Sequence, residues 1–322
     1  MKVVITGAAG FLGSRLADAL LKPNSELCVT ELVLVDTILP PSRKDPRVIT
    51  LALDITTPEA PRKLVDTDTD LLFHLAAVVS GHAEEDFDLG MKVNFNATRS
   101  LLEAARHRAT KLRFVFTSTV GVFGGDLPPI ITDQTAATPQ NSYGIAKAMS
   151  ELLINDYSRR GFVDGRVVRL PTVSIRAGTA NRAVTSFASG IIREPLNGEV
   201  AICPVPPDQE LWLSSPGSVV FNLIHAATLL SSELEKWRVI NLPGISVTVR
   251  KMISSLCEVS GSKVAKLVRY EHDETISAMV GSFPSRFDNS RALRLGFRVD
   301  SNFTDVIRSY ILEDLKQVSF GF

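Results

Sequence analysis

Residues 2–13 read K-V-V-I-T-G-A-A-G-F-L-G. Val3, Val4 and Ile5 form a short β-branched apolar run of the kind that makes a buried strand. Glycines follow at Gly7, Gly10 and Gly13, and a helical spacing of apolar residues runs from Phe11 and Leu12 through Leu16, Ala19 and Leu20. The stretch predicts strand, glycine turn and helix. A glycine at the strand end permits a sharp bend with positive φ. A second, lacking Cβ, lets main-chain N–H groups approach a pyrophosphate, and a third lets helix and strand pack closely. The helix start at Phe11, Leu12 and Gly13 adds unpaired N–H donors and a partial positive charge. The spacing is G-x-x-G-x-x-G, and its place between a strand and a helix is what points to a bound dinucleotide.

Working outward, a second strand over residues 32–35 ends at Asp36. An acidic residue about 20 positions beyond the glycines takes the adenosine ribose hydroxyls of a dinucleotide. Its carboxylate repels a 2′-phosphate, and the next residue is Thr37 with no arginine adjacent, so NAD is expected rather than NADP. A third strand over 48–53 brings Asp54 and Ile55 to the adenine, and a short helix is expected over 58–65. A fourth strand, 71–75, carries Leu75 into Ala76 and Ala77, whose small side chains leave room for the cofactor over the strand end. His74, inside that apolar run, reads as a hydrogen-bonded core histidine rather than a base.

A long helical pattern over 86–108 contains Asn94, which is placed with the cofactor contacts. A fifth strand, 113–116, leads into Thr117-Ser118-Thr119, with Thr117 also assigned to the cofactor. A helix over 142–160 and a sixth strand over 166–170, stopped by Pro171, complete the alternation. Strands alternating with helices in this way specify an α/β fold with a doubly wound parallel sheet, which binds ligands at the carboxyl ends of its strands. Leu170 and Thr172 are expected against the nicotinamide end. Beyond Pro171 the pattern loosens, with one helix expected over 186–193. A helix over 218–230 and a strand over 238–242 then return to the nucleotide sheet, and a smaller α/β region ends in a helix over 304–318. The expected division is residues 1–171 plus about 217–246 for NAD, and about 172–216 plus 247–322 for the substrate.

Tyr143 and Lys147 stand four apart on one face of the helix over 142–160. Oxidising an alcohol requires removal of its hydroxyl proton as hydride leaves the carbinol carbon. A free tyrosine, with a pKa near ~10, is too weakly acidic to serve as a base at neutral pH. A nearby ammonium favours the phenolate. Lys147 supplies that charge and can also bond the nicotinamide ribose. A Ser or Thr hydroxyl would hold the substrate oxygen beside Tyr143; Thr119 is the first choice and Ser118 the second.

The glycine turn, the Tyr143/Lys147 pair and Val122-Phe123-Gly124 together resemble the extended short-chain dehydrogenase/reductase family, and the resemblance covers essentially the whole chain. It implies a catalytic hydroxyl three residues before the V-[YF]-G segment, at Thr119. Phe123 stands where a tyrosine is usual. It also implies a homodimer through a four-helix bundle built from the 86–108 and 142–160 helices. Five further stretches, residues 76–81, 86–90, 155–166, 186–196 and 211–216, resemble sugar-acid dehydrogenases within that family. They imply NAD-dependent oxidation of the C2 hydroxyl of a four-carbon sugar acid. Such a substrate needs a cation for its carboxylate. Arg176 and Arg182 follow the sixth strand and either can supply it. Ser80 is placed to bond substrate hydroxyls, and Trp212 is either a pocket wall or a core residue.

Composition narrows the alternatives. Hydrophobic residues make up 45% of 322 and aromatics only 7%, which suits an aliphatic α/β core. Basic and acidic residues balance at 35 each, so no charge excess points to nucleic acid or an anionic membrane. No apolar run is long enough to span a bilayer, and the short N-terminal run is unlike a signal peptide. Cys28, Cys203 and Cys257 are far apart and lack metal-ligand spacing, as expected of reduced packing residues in a cytoplasmic protein with no metal site. A nucleotide-sugar epimerase or dehydratase is the main rival reading. It would need groups to grip a second nucleotide, yet residues 172–216 hold only Phe187 and Trp212 as aromatics. An NAD-binding regulator without catalysis would not need Tyr143, Lys147 and Thr119.

Overall fold

The run at Val3–Ile5 lies in strand Lys2–Thr6 (β1), followed along the chain by Glu31–Asp36 (β2), Val48–Ala52 (β3), Thr69–His74 (β4), Arg113–Thr119 (β5), Asp164–Leu170 (β6) and, much later, Val239–Asn241 (β7). The computed structural model describes residues 1–109, 112–178 and 183–315. The seven strands make one parallel sheet in the order β7-β6-β5-β4-β1-β2-β3. The strand order reverses between β1 and β4, and this switch point opens a crevice at their carboxyl ends. The fold is a doubly wound parallel α/β (Rossmann) sheet.

Alternation along each strand divides the apolar residues between two faces. Val3, Ile5, Leu32, Leu34 and Phe73 are fully buried in one core, shared with the helices Phe11–Leu20 and Pro216–Thr228. Val4, Val33, Val35, Leu72 and Phe114 enter a second core with the helices Ala97–Arg108 and Ser142–Arg159. A third core, around Ile191, Leu213, Met252 and Ile307, belongs to the smaller region. There Glu210–Ser214 pairs antiparallel with Ile245–Thr248 and parallel with Thr172–Val173.

Two elements differ from the sequence pattern in ways that shape the crevice. The fifth strand does not stop at Phe116. Thr117, Ser118 and Thr119 pair in register with Val168, Arg169 and Leu170 of β6, so the hydroxyl cluster is the end of the strand. The 86–108 pattern is a succession of Phe87–Met91, a π-helical stretch Lys92–Asn96 and Ala97–Arg108. The widened turn carries Asn94, whose amide closes on a loop of β4. The helix expected over 304–318 is Phe303–Tyr310 followed by a π turn at Ile311–Leu315, and later residues lie outside those described.

The smaller region is tied to the sheet by charged contacts. The Asp300 carboxylate accepts hydrogen bonds from Ser214 Oγ, Ser215 N, Ser215 Oγ and Ser218 Oγ at the start of helix Pro216–Thr228. Arg15, on the helix that follows the glycine turn, pairs with Glu313 and Asp314.

Candidate active site

The glycine turn is shaped by backbone approach. Gly7 has φ +74°, and a Cβ there would lie 2.7 Å from the amide nitrogen of Ala76 at the end of β4. The helix Phe11–Leu20 begins without a side-chain cap at Gly10, so its first N–H groups, at Phe11, Leu12 and Gly13, are left for a ligand. Asp36 closes the other side: its Oδ2 accepts the Ala9 N–H at 3.0 Å and its Oδ1 the Thr37 N–H at 2.7 Å. An open backbone cradle at a helix N-terminus, with a carboxylate beside it, fits the pyrophosphate and ribose of a dinucleotide.

A cavity of about 380 Å³ extends from this turn across the carboxyl ends of β4, β5 and β6. Gly7, Gly10, Phe11, Leu12 and Gly13 line it at one end, with Leu75 and Ala77 beside them. Thr117, Ser118, Thr119, Tyr143 and Lys147 line its middle, and Leu170, Thr172, Ser80 and Arg176 its far side. Asp36, Asp54, Ile55, Ala76 and Asn94 are not on this wall. Asp54 instead caps its own turn through Thr56 N and Oγ1, which hold its carboxyl below the usual range. Ile55 is buried in the core and Ala76 packs beneath Gly7. Asn94, 1% exposed, uses both ends of its amide on Val78: Oδ1 accepts from the N–H at 2.8 Å and Nδ2 donates to the carbonyl at 3.0 Å. It fixes the loop between β4 and Ser80 rather than facing the cavity. Arg182 lies outside the described residues.

Helix Ser142–Arg159 carries Tyr143, Lys147 and Glu151 in one stripe at four-residue intervals. Its start is set by Asn141, whose Oδ1 accepts the Gly144 N–H at 2.8 Å. Gly144 packs against the turn Val120–Val122 that follows β5, where a Cβ would lie 2.3 Å from the Gly121 carbonyl oxygen. That contact brings Tyr143 and Thr119 to one wall. Lys147 is buried; its Nζ donates to the Thr117 carbonyl at 2.8 Å and lies 5.7 Å from the Tyr143 ring centre. Burial lowers the Lys147 ammonium to about 7, with Glu151 opposing the shift, and burial pushes the Tyr143 phenol up to about 12.

The two hydroxyl candidates separate by strand alternation. Ser118 Oγ donates to Glu151 Oε1 at 2.5 Å, and Arg169 grips the same carboxylate with Nε at 2.9 Å and Nη2 at 2.6 Å. The Ser118 hydroxyl is thus committed to a buried ion pair. Among the described residues Thr119 Oγ1 accepts only the Gly121 N–H, at 3.0 Å, and keeps its proton to donate. Phe123 lies buried against Arg169, 4.7 Å from its guanidinium carbon, and its ring edge meets Phe287. Trp212 stacks on Phe287 at 5.0 Å in the core and is not part of the cavity wall. Asn141, Thr185 and Phe283 line the cavity without having been singled out in the sequence. An N-cap preference ahead of the Tyr143 helix marks Asn141; no local pattern marks the other two.

His74 lies fully buried behind the turn. Its Nδ1 meets Thr6 Oγ1 at 2.7 Å and its Nε2 meets Thr98 Oγ1 at 2.9 Å, while Thr98 Oγ1 donates onward to the Asn94 carbonyl. These directions suit a neutral ring protonated at Nε2. Burial, then the Lys147 charge, lowers its pKa from 6.5 to about 3. The unfolded chain binds the extra proton between those values, so stability is full above pH 6.5 and falls as pH drops toward 3. Urea unfolding between pH 4 and 7 is expected to show this acid limb, flattened in His74→Gln. A limb of unchanged slope in that variant would assign it to other groups.

The family model described as NAD dependent epimerase/dehydratase matches residues 3–227. The chain belongs to this family. It is an NAD-dependent oxidoreductase, and the NAD dependent epimerase/dehydratase match spans the glycine turn, Asp36 and the Tyr143/Lys147 pair. Within the family it is 53% identical to D-erythronate dehydrogenase of Haemophilus influenzae over 98% of this chain and 100% of that one. It is 50% identical to D-erythronate dehydrogenase of Cupriavidus necator, over 97% and 98%. A crystal structure named as a nucleoside-diphosphate-sugar epimerase from Agrobacterium tumefaciens superposes with a TM-score of 0.94 at 41% identity, covering 98% of this chain and 95% of that one. Among the described residues no group of three or more His, Cys, Asp or Glu side chains is placed to hold a metal, and no helix is long and apolar enough to cross a membrane.

Proposed function

We propose that the chain oxidises the C2 hydroxyl of D-erythronate to the 2-oxo acid, with Tyr143 as the base. The carrying observation is the make-up of the cavity lining. Tyr143, Thr119, Lys147 and Arg176 line one cavity with the glycine turn, and among the described residues no carboxylate lines it. The two relatives named D-erythronate dehydrogenase support the substrate.

NAD held at the turn by the Phe11–Gly13 N–H groups and Asp36 supplies a hydride acceptor. Thr119 Oγ1 donates to the C2 oxygen, and Tyr143 Oη takes the hydroxyl proton as the carbonyl forms. Burial alone works against a phenolate, so the base depends on positive charge close by. Lys147 provides it, and Glu151 one turn further on helps keep that lysine protonated. Arg176 pairs with the substrate carboxylate, and Ser80 bonds a remaining hydroxyl. Residues 1–171 with about 217–246 form the NAD unit, and about 172–216 with 247–322 the substrate unit.

The protein acts as a cytoplasmic homodimer in this reading. Its three cysteines are all unpaired, as a reducing compartment leaves them. Phe87, Ile145 and Leu152, on the helices a four-helix bundle would use, are 60%, 43% and 62% exposed in the single chain. Sedimentation should give twice the chain mass, and Leu152→Glu should halve it; a wild-type monomer would refute the dimer.

A second reading, a nucleoside-diphosphate-sugar epimerase, is favoured by the name of the 41% identical structure. An epimerase returns its hydride each turnover, whereas a dehydrogenase accumulates NADH. The experiment is NADH absorbance with D-erythronate, L-threonate, D-threonate and a nucleotide sugar. Steady NADH with D-erythronate alone is expected. NADH from another acid would discard the substrate, and none from any acid would favour the epimerase.

A further inference from the structure

We infer that Ser189 and Arg193, one turn apart on the helix Phe187–Leu196, bracket the backbone of Arg176 and aim its guanidinium at the substrate carboxylate. They are positioning residues for recognition of an acid, and the inference rests on the reading of Arg176 given above.

The geometry is a clamp on a single residue. The Arg176 N–H donates to Ser189 Oγ at 3.1 Å, and Arg193 Nη1 donates to the Arg176 carbonyl at 2.9 Å. Two residues earlier, Ser174 Oγ donates to the Ala188 carbonyl at 3.0 Å, so residues 174–176 are fastened to this helix at three points. The clamp is rigid: Ser189 is 2% exposed, Arg193 5%, and the other arm of Arg193 is anchored to Glu194 Oε1 at 2.5 Å.

What the clamp presents is the opposite. The Arg176 side chain is half-buried and borders the cavity, and among the described residues no carboxylate pairs with it. A half-buried cation at the cavity edge without a counter-ion among the described residues favours an incoming anion. A long arginine side chain loses rotamer freedom when it binds, and a fixed backbone on both sides of its Cα limits how far the guanidinium can wander. Arg193 therefore acts through Arg176. A staple that merely held the fold together would act on every substrate alike.

The test compares D-erythronate with its neutral amide, using Arg176→Met, Arg193→Met, Arg193→Lys, Ser189→Ala and the double Arg176→Met/Arg193→Met variant. Arg176→Met is expected to raise KM for the acid by about a hundredfold, with KM for the amide within about twofold of wild type. Arg193→Met should raise KM for the acid about tenfold with kcat within about threefold, Ser189→Ala somewhat less, and Arg193→Lys should recover most of the loss. The double variant should be no worse than Arg176→Met alone, because both changes act on one contact. If Arg176→Met raises KM for the acid while Arg193→Met and Ser189→Ala leave it within twofold, the bracket is refuted and the reading of Arg176 stands. If KM rises equally for acid and amide in the bracket variants, the role is structural and the inference fails. If Arg176→Met leaves KM for the acid unchanged, the reading of Arg176 falls and the bracket with it. Should Arg193→Met fail to fold, Ser189→Ala decides by the same criteria.

Discussion

Tyr143→Phe is expected to lower kcat for D-erythronate oxidation by about three orders of magnitude, in the range for loss of a positioned general base. The substitution removes one atom, Oη. The ring remains against Lys147, whose Nζ lies 5.7 Å from its centre, and the helix start set by Asn141 and Gly144 is untouched. NAD affinity and thermal stability should therefore stay close to wild type, because the glycine turn and Asp36 do not involve Tyr143. Stopped-flow or steady-state NADH formation reads the first quantity and calorimetric titration with NAD the second. Near-normal turnover would remove Tyr143 from the mechanism. Loss of NAD binding together with turnover would give the phenol a structural role.

Gly144→Ala, a change of one methyl group, is expected to cost about a hundredfold in kcat. The new Cβ would lie 2.3 Å from the Gly121 carbonyl oxygen on one side and 2.9 Å from Pro139 Cβ on the other. The first of these is backbone, so the helix start must move away from the Val120–Val122 turn. Tyr143 sits on the moving side and Thr119 on the stationary one. A displacement of about 1 Å between catalytic groups can cost about a hundredfold in rate. Overpacking of this kind also costs about 1–3 kcal/mol of stability, which a denaturant titration would register. The glycine turn lies on a different helix, so NAD affinity should hold within about threefold. Unchanged kcat would mean that the site tolerates the shift and that the Tyr143–Thr119 spacing does not limit catalysis.

The fold was legible in the sequence where a local pattern carries a backbone requirement. The Gly7 position needs positive φ and close approach to Ala76, and both demands are met only by glycine at that spacing. Asp36 is legible because β2 delivers it to the turn, and Tyr143 and Lys147 because a four-residue interval puts them on one helix face. Contacts between distant segments are not legible in this way. The choice between Ser118 and Thr119 depends on Glu151 and Arg169, which occupy the Ser118 hydroxyl from another helix and another strand. Asn94 is visible as a polar residue in a helix, but its partner is the backbone of Val78, 16 residues away, reached through a π turn that the apolar spacing does not announce. Phe283 reaches the cavity from the last sixth of the chain, and nothing in its neighbourhood marks it. The strand end at Thr117–Thr119 is not legible in the apolar run, because serine and threonine continue a ladder that the run alone suggests is finished.

The most direct test of C2 oxidation is to supply D-erythronate carrying deuterium at C2, with NAD, and to weigh the reduced cofactor by mass spectrometry. C2 oxidation predicts that NADH accumulates and that each molecule carries one deuterium. Unlabelled NADH would place the oxidation at another carbon, and label that stays on the sugar acid with no NADH would contradict the dehydrogenase reading itself.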